Sequence, residues 1–220
     1  MAAIRDVAIL DLDRTLTIRP TFTSFLLFIC KSHPVKYLKV PVLVIHLLSY
    51  VLKFIDRTVT KERMLKTIAD GMPRTEIDAL AKDFTAQRLA TGLRPGAVAV
   101  IQDHRKKGHQ VILATAAMDF IVRHFRDGLK LDDMIATISV WDENDCLVPR
   151  LEGGNNYQAE KAKRVQAWLA RHKVGRVWFY SDSHVDLPTF NLADYKVAVS
   201  PTAKLQKLAQ QEDFEIANWG

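Results

Sequence analysis

The chain has 220 residues, 48% of them apolar and 25% charged, enough to bury a substantial core and too apolar for a disordered or low-complexity protein. Its two cysteines, Cys30 and Cys146, lie far apart, which excludes a disulfide framework and a cysteine-based zinc site and leaves reduced, structural thiols. The net charge is +6, and the segment from Arg19 to Asp70 holds nine Lys or Arg against three acids, an excess equal to that whole charge.

The first predicted element is Val7–Leu10, a short apolar run without alternation, as in a strand covered on both faces. It starts too soon to leave room for a secretory leader, so a cytoplasmic protein is expected. The strand delivers "DLDRT", two aspartates one residue apart and then a threonine. Such a turn either holds a cation or does chemistry, or it only ends a strand and solvates a turn. Residues 19–90 read as helices inserted after this strand. Two runs within them, "TFTSFLLFIC" and "VPVLVIHLLSYVL", contain no Lys, Arg, Asp or Glu. Each is shorter than the roughly 18–20 residues that cross a bilayer. A basic, apolar, sub-spanning insertion suits an interfacial or substrate-gating element; the plainer reading is a bundle of core helices with solvated lysines. Further on, Ile77, Leu80, Ala81 and Phe84 share one helical face, and Gly92 ends that helix.

Pro95 suits the start of a helix that Gly108 closes, "HQVILAT" is a second buried strand, and a helix follows over about Met118–Arg126. "MIATISVWDENDCLVPRL" reads as a strand and an irregular hairpin turned at "DEND". A helix over Ala159–Arg171, with Ala162, Val165 and Leu169 on one stripe, leads to the strand "RVWFYSD". A short helix, the strand "YKVAV" and a last helix complete the pattern. Strands alternating with helices predict an α/β fold, a doubly wound parallel sheet, with core residues 1–18 and 91–220 and a helical insertion over 19–90.

Ligands of such sheets bind beyond the carboxyl ends of the strands, at the switch point. "VILAT" ends in Thr115, "VWFYSD" ends in Asp182 with Asp186 four residues on, and Lys161 stands near the start of the helix between them. Two carboxylates after the first strand and two after a later one suit a hard cation such as Mg²⁺. A hydroxyl and an ammonium are also available to neutralise a phosphoryl group.

Four motifs in order, "DLDRT", "VILATAA", "NNYQAEKAKRV" and "YSDSHVD", give the chain a sequence that resembles the haloacid dehalogenase superfamily, in its phosphoserine-phosphatase-like branch (subfamily IB). The resemblance implies a Rossmann-like core, a helical cap over 19–90, and a Mg²⁺-dependent phosphatase. It makes Asp11 the nucleophile that forms an aspartyl-phosphate and Asp13 the general acid and then base. Thr115 and Lys161 would grip the transferred phosphoryl, while Asp11, the backbone carbonyl of Asp13 and Asp182 would bind Mg²⁺ with support from Asp186. The chemistry agrees with those roles. A carboxylate approaches a phosphate dianion only when the charge is screened, here by Mg²⁺ and Lys161. The departing alkoxide needs a proton, which a second carboxyl supplies. Dehalogenases have no use for such an acid, because a halide leaves unprotonated, so Asp13 favours phosphate chemistry. Thr15 reads as orienting the loop, and Asp182 and Asp186 could alternatively cap the next helix.

The pattern departs from phosphoserine phosphatases at two places. Their glutamate after the first motif is replaced by Arg19 or Pro20, and their glycine pair by Ala116 and Ala117, so phosphoserine is not the expected substrate. The insertion looks more like that of relatives acting on phosphorylated lipids, such as bacterial phosphatidylglycerophosphate phosphatases. The expected partner is a lipid or small-molecule phosphomonoester, with peripheral contact at the inner face of the membrane through the insertion and no nucleic acid. A small-metabolite phosphatase, a phosphotransferase and a non-catalytic phosphate- or membrane-binding module stay open. Spacing favours Lys161 over Lys163 as the catalytic lysine. Leu16 and Phe22 exclude a calcium loop. "HRKKGH" reads as a basic helix end, His33 and His46 stand alone, and His184 reads as a solvated loop residue.

Overall fold

A computed structural model describes residues 4–220. Seven strands, β1 (Val7–Leu10), β2 (Gln110–Met118), β3 (Asp133–Trp141), β4 (Leu147–Glu152), β5 (Val177–Ser181), β6 (Tyr195–Val199) and β7 (Glu215–Ala217), form one sheet in the order β4-β3-β2-β1-β5-β6-β7. All neighbours are parallel except the β3–β4 hairpin. Successive residues of a strand face opposite sides. Ala8 and Leu10 therefore enter one apolar cluster while Val7 and Ile9 enter the other, and all four are fully buried. Central β1 lies between β2 and β5, so the loops leaving these three strands open at one edge of the sheet.

Four helices, α1 (Thr21–Ser32), α2 (Val40–Val51), α3 (Arg57–Ile68) and α4 (Arg74–Thr91), follow β1 in chain order. The remaining helices are α5 (Pro95–Lys106), α6 (Asp119–Gly128), α7 (Ala159–His172), α8 (Leu187–Phe190) and α9 (Ala203–Gln211). Phe25 and Ile29 of α1, Met64 and Ile68 of α3 and Phe84 of α4 join the same apolar cluster as Leu10 and Leu113 of the sheet. Backbone bonds also stitch this region to the hairpin, with Gly71 N–H donating to Leu147 O and Leu147 N–H to Met72 O.

The two apolar runs of the insertion part company. That of α1 is core, with Phe25, Leu26, Ile29 and Cys30 buried, whereas α2 buries only Leu43. A 3₁₀ turn over Pro34–Lys39 continues into α2, so the helical stretch Pro34–Val51 has 18 residues with mean hydropathy 1.3 and is 6% buried. By length and composition alone it reaches what a membrane crossing needs, which the shorter runs in the sequence did not suggest. It is nonetheless tethered: Lys36 Nζ donates to Ile68 O, and His46 Nε2 is 3.3 Å from Thr67 Oγ1.

Candidate active site

Asp11 follows directly on β1, and its N–H donates to Tyr180 O of β5 at 2.9 Å, so the parallel ladder itself points this residue at the sheet edge. The loop then turns through Arg14 in the left-handed region, φ 63°. That turn brings Thr15 back to donate to Asp11 Oδ2 at 3.3 Å and to accept from Asp182 N–H at 3.1 Å. Thr15 thus orients the loop, as its sequence position indicated, by pinning the ends of β1 and β5 together. Asp13 is fixed from the other side, where Thr21 N–H at the start of α1 donates to Asp13 Oδ1 at 2.8 Å.

Lys161 is the third residue of α7, one turn before Val165 and two before Trp168, all on the buried stripe of the helix. The helix begins at Gln158, where φ 52° and ψ −123° turn the chain sharply, and this geometry brings the ammonium inward. Lys161 Nζ lies 2.9 Å from Asp11 Oδ1 and 2.8 Å from Asp186 Oδ1 with 2% of the residue exposed. Lys163 is exposed on the opposite face. Ser181 donates to Asp186 Oδ2 at 2.7 Å, so Asp186 is held from two sides. Thr115 is fully buried, and its Oγ1 accepts from Ala117 N–H at 3.1 Å. All six residues (Asp11, Asp13, Thr115, Lys161, Asp182 and Asp186) line one cavity of about 270 Å³.

The charge in this cavity is unbalanced. Burial raises the Asp11 pKa to about 7; Lys161 opposes the shift, and Asp186, Asp182 and Asp13 add to it. Burial and then Asp186 raise Asp182 to about 6. Burial alone would lower the Lys161 pKa, but the two carboxylates override it and hold the lysine charged, above its ordinary value. Among the described residues, no side chain hydrogen-bonds or ion-pairs with the Asp182 carboxylate, although only 7% of the residue is exposed. A buried carboxylate without a partner beside three others fits a divalent cation. No three acidic, His or Cys side chains among the described residues form a ready ligand set.

Some residues of the site were not singled out from the sequence. Asn156 Nδ2 donates to Thr115 O and Ile135 O, tying β2, β3 and the approach to α7 together. Asn155 Oδ1 accepts from Lys61 Nζ at 2.7 Å, and Arg57 and Tyr157 line the cavity mouth. The "NN" pair ahead of the lysine helix was the available signal, since adjacent buried amides in a loop must have partners. Arg57 and Lys61, four apart, form a helical pair hidden within a generally basic segment. Cys30 and Cys146 are free thiols, but His184, expected as a solvated loop residue, is half-buried in a 3₁₀ turn between Ser183 and α8, and His33, expected to stand alone, has its Nε2 2.7 Å from Glu76 Oε1.

A central strand ending in paired aspartates, with a hydroxyl, an ammonium and a second acidic pair converging from neighbouring strands, defines a phosphatase-type hydrolase site. The chain belongs to the haloacid dehalogenase-like hydrolase family, whose model matches residues 8–191. It is similar to a histidinol-phosphatase of Neisseria meningitidis, 24% identical over 151 residues, covering 66% of this chain and 68% of the relative. A solved Bordetella pertussis protein described as of unknown function has the same fold, with a TM-score of 0.87 at 22% identity, covering 99% of this chain and all of that one. A phosphoserine phosphatase solved as a phospho-aspartyl intermediate analogue matches with a TM-score of 0.68 at 14% identity, covering 99% and 95%.

Proposed function

We propose that this enzyme is a Mg²⁺-dependent phosphatase that cleaves a phosphomonoester through a phosphoryl-Asp11 intermediate. The observation that supports this most is the Lys161 ammonium seated between Asp11 and Asp186 in the cavity that Thr115 and Asp13 also line. In the first step an Asp11 carboxylate oxygen attacks phosphorus, the bond from phosphorus to the leaving oxygen breaks, and Asp13 donates its proton to that oxygen. In the second, Asp13 takes a proton from water as the water oxygen attacks phosphorus and Asp11 is released. Lys161 and the Thr115 hydroxyl stabilise the phosphoryl oxygens in both. Asp11, the Asp13 carbonyl and Asp182 are the groups that would hold Mg²⁺, with Asp186 in support. When bound, the ion supplies charge neutralisation for the approach of carboxylate to phosphate.

In this reading residues 19–90 form a cap over a core of 1–18 and 91–220, and the substrate is an amphiphilic phosphomonoester met at a membrane surface. The support is the apolar outer face of the Pro34–Val51 stretch, where Val35 is 79% and Leu38 82% exposed beside Lys36 and Lys39. A soluble small phosphate is the second reading, favoured by the name of the Neisseria relative.

Hydrolysis of p-nitrophenyl phosphate, with and without EDTA, tests the reaction class. Asp11→Asn and Asp13→Asn are each expected to abolish turnover with the circular dichroism unchanged, and EDTA to do the same to the wild type. Lys161→Ala is expected to lose roughly two to three decades, the ordinary effect of removing one preorganised donor, and Lys163→Ala far less. Full activity in Asp11→Asn, or equal effects of the two lysine variants, would sink the assignment.

A further inference from the structure

In β2 the peptide between Ala116 and Ala117 has a partner at each end. Its N–H, that of Ala117, donates to Thr115 Oγ1 at 3.1 Å. Its carbonyl, that of Ala116, accepts from Lys61 Nζ of α3. A peptide unit is planar and rigid, so a group that fixes the carbonyl also fixes the N–H. Because Thr115 Oγ1 already accepts that N–H, its own proton is left to be given to another oxygen in the cavity that Thr115 lines.

Lys61 is 6% exposed, and its Nζ donates also to Asn155 Oδ1 at 2.7 Å. Thr137 Oγ1 of β3 lies 2.8 Å from Ala116 O and 3.0 Å from Asn155 Oδ1. A hydroxyl has one proton, so Thr137 satisfies only one of these oxygens at a time; an ammonium has three and satisfies both. Among the described residues Lys61 pairs with no carboxylate. Burial lowers its pKa to about 7, Arg57 lowers it further, and Asp13 opposes them. A buried cation without a counter-charge is costly, and an apolar side chain of similar length would avoid the cost. Lys61 also lines a second cavity of about 230 Å³, which shares Asp13, Pro20, Arg57 and Ala116 with the first.

We propose that Lys61 is a positioning residue of this enzyme, which aims the Thr115 hydroxyl at the transferred phosphoryl group through the Ala116–Ala117 peptide. This rests on the phosphatase reading above and goes beyond it, since Lys61 acts through Thr115 and not on the substrate. The ammonium polarises the Ala116 carbonyl, and hydrogen bonds in a chain strengthen one another, so the Ala117 N–H becomes a better donor to Thr115 Oγ1. The hydroxyl is thereby held with its proton turned toward the cavity. Asn155 and Thr137 anchor the ammonium from the loop before α7 and from β3.

The test is hydrolysis of p-nitrophenyl phosphate and of β-glycerophosphate by Lys61→Met, with orthovanadate as an inhibitor that mimics the transferring phosphoryl group and carries no alcohol. In Lys61→Met kcat is expected to fall about tenfold or more, the worth of a hydrogen bond to a charged group, and KM to change less. The factor should be the same for both substrates, and vanadate inhibition should weaken with it. Tm should stay close to that of the wild type, because the lost hydrogen bonds are offset by removal of a buried cation. Lys61→Arg, which keeps a cationic donor, should recover part of the activity. In Thr115→Ala the further change Lys61→Met should cost less than it does in the wild type, because the hydroxyl it aims is already gone. Undiminished kcat, or equal costs in the two backgrounds, would overturn the inference. So would a loss that depends on the alcohol while vanadate inhibition is unchanged, or a fall in Tm large enough to account for the lost activity. In each of these the reaction class stands, whereas a wild type that hydrolyses neither substrate overturns both.

Discussion

Away from the site, His104 shows how burial sets the chemistry of one residue. It is 3% exposed, its Nδ1 lies 2.8 Å from His109 Nδ1, and its Nε2 lies 2.7 Å from Tyr180 Oη. Burial, and then the neighbouring His109, lower its pKa to about 4. An unfolded histidine takes up its proton near pH 6.5. Between these values the unfolded chain binds the extra proton, so the contribution is complete above pH 6.5 and is lost as pH falls toward 4. The expected loss is on the order of 2–3 kcal/mol. Urea denaturation from pH 7.5 to 4.5 should show the difference in stability between the wild type and His104→Gln shifting against the wild type by this amount as pH falls, because the slopes of Asp11 and Asp182 are common to both; parallel curves would contradict it. None of this was legible in the sequence, where His104 was one member of a basic helix end. The residues that the sequence did disclose, Asp11, Asp13, Thr115, Lys161, Asp182 and Asp186, stand next to strand and helix ends, where the fold class dictates convergence. Arg57 and Lys61 reach the cavity from a helix whose placement depends on packing between distant segments, and no local pattern encodes that.

At the scale of elements, buried strands were the easiest to read and the short or induced ones the hardest. β2 extends through Ala116 and Ala117 to Met118, the residue near which the sequence suggested that a helix begins; the parallel bridge of Met118 to Thr137 imposes the extended form on residues of weak strand preference. β7 has three residues and pairs with β6 at the edge of the sheet, too short for a periodic signal. The most consequential element is α2. Its apolar composition was evident, but not that it would turn Val44, Ile45 and Leu48 outward at 49%, 58% and 54% exposure. Since Leu43 is buried and the preceding turn is tied to α3 through Lys36, a helix lying in the lipid interface accounts for this face without unpacking the fold. Co-sedimentation should show binding to vesicles containing phosphatidylglycerol that weakens with salt, because the Debye length falls to about 10 Å at 0.1 M. Replacing Leu38, Ile45 and Leu48 together by Gln should weaken binding by about tenfold or more, given ~25 cal/mol per Å² of apolar surface withdrawn from lipid. Unchanged binding would exclude α2 as the contact.

For the molecule as a whole, the acidic cavity is a source of instability that the Mg²⁺ proposed above would relieve. Asp11, Asp13, Asp182 and Asp186 outnumber Lys161, Arg14 and Arg57 there, four carboxylates to three cations, and only the folded chain brings them together. A ligand of the folded state alone raises stability by about 2.7 kcal/mol at 100 times its dissociation constant. In a chain of this size that corresponds to roughly 5–10 °C in Tm. Thermal unfolding after EDTA treatment should show such a rise on adding Mg²⁺, and Asp182→Asn should lose most of it. A wild-type Tm indifferent to Mg²⁺ would remove the cation from the proposed site.

The exposed face of α2 also governs how copies of this protein behave toward one another in water. Two molecules that met through that face would bury apolar surface, yet each would bring the exposed Lys39 and Lys53 that flank it against the same charges of the other. Repulsion keeps the dissolved molecules apart only while it is unscreened. Under the membrane contact proposed above, salt that releases the protein from an anionic surface would also lower the barrier to its self-association, so the conditions that free it from lipid would be those in which it is least secure in solution.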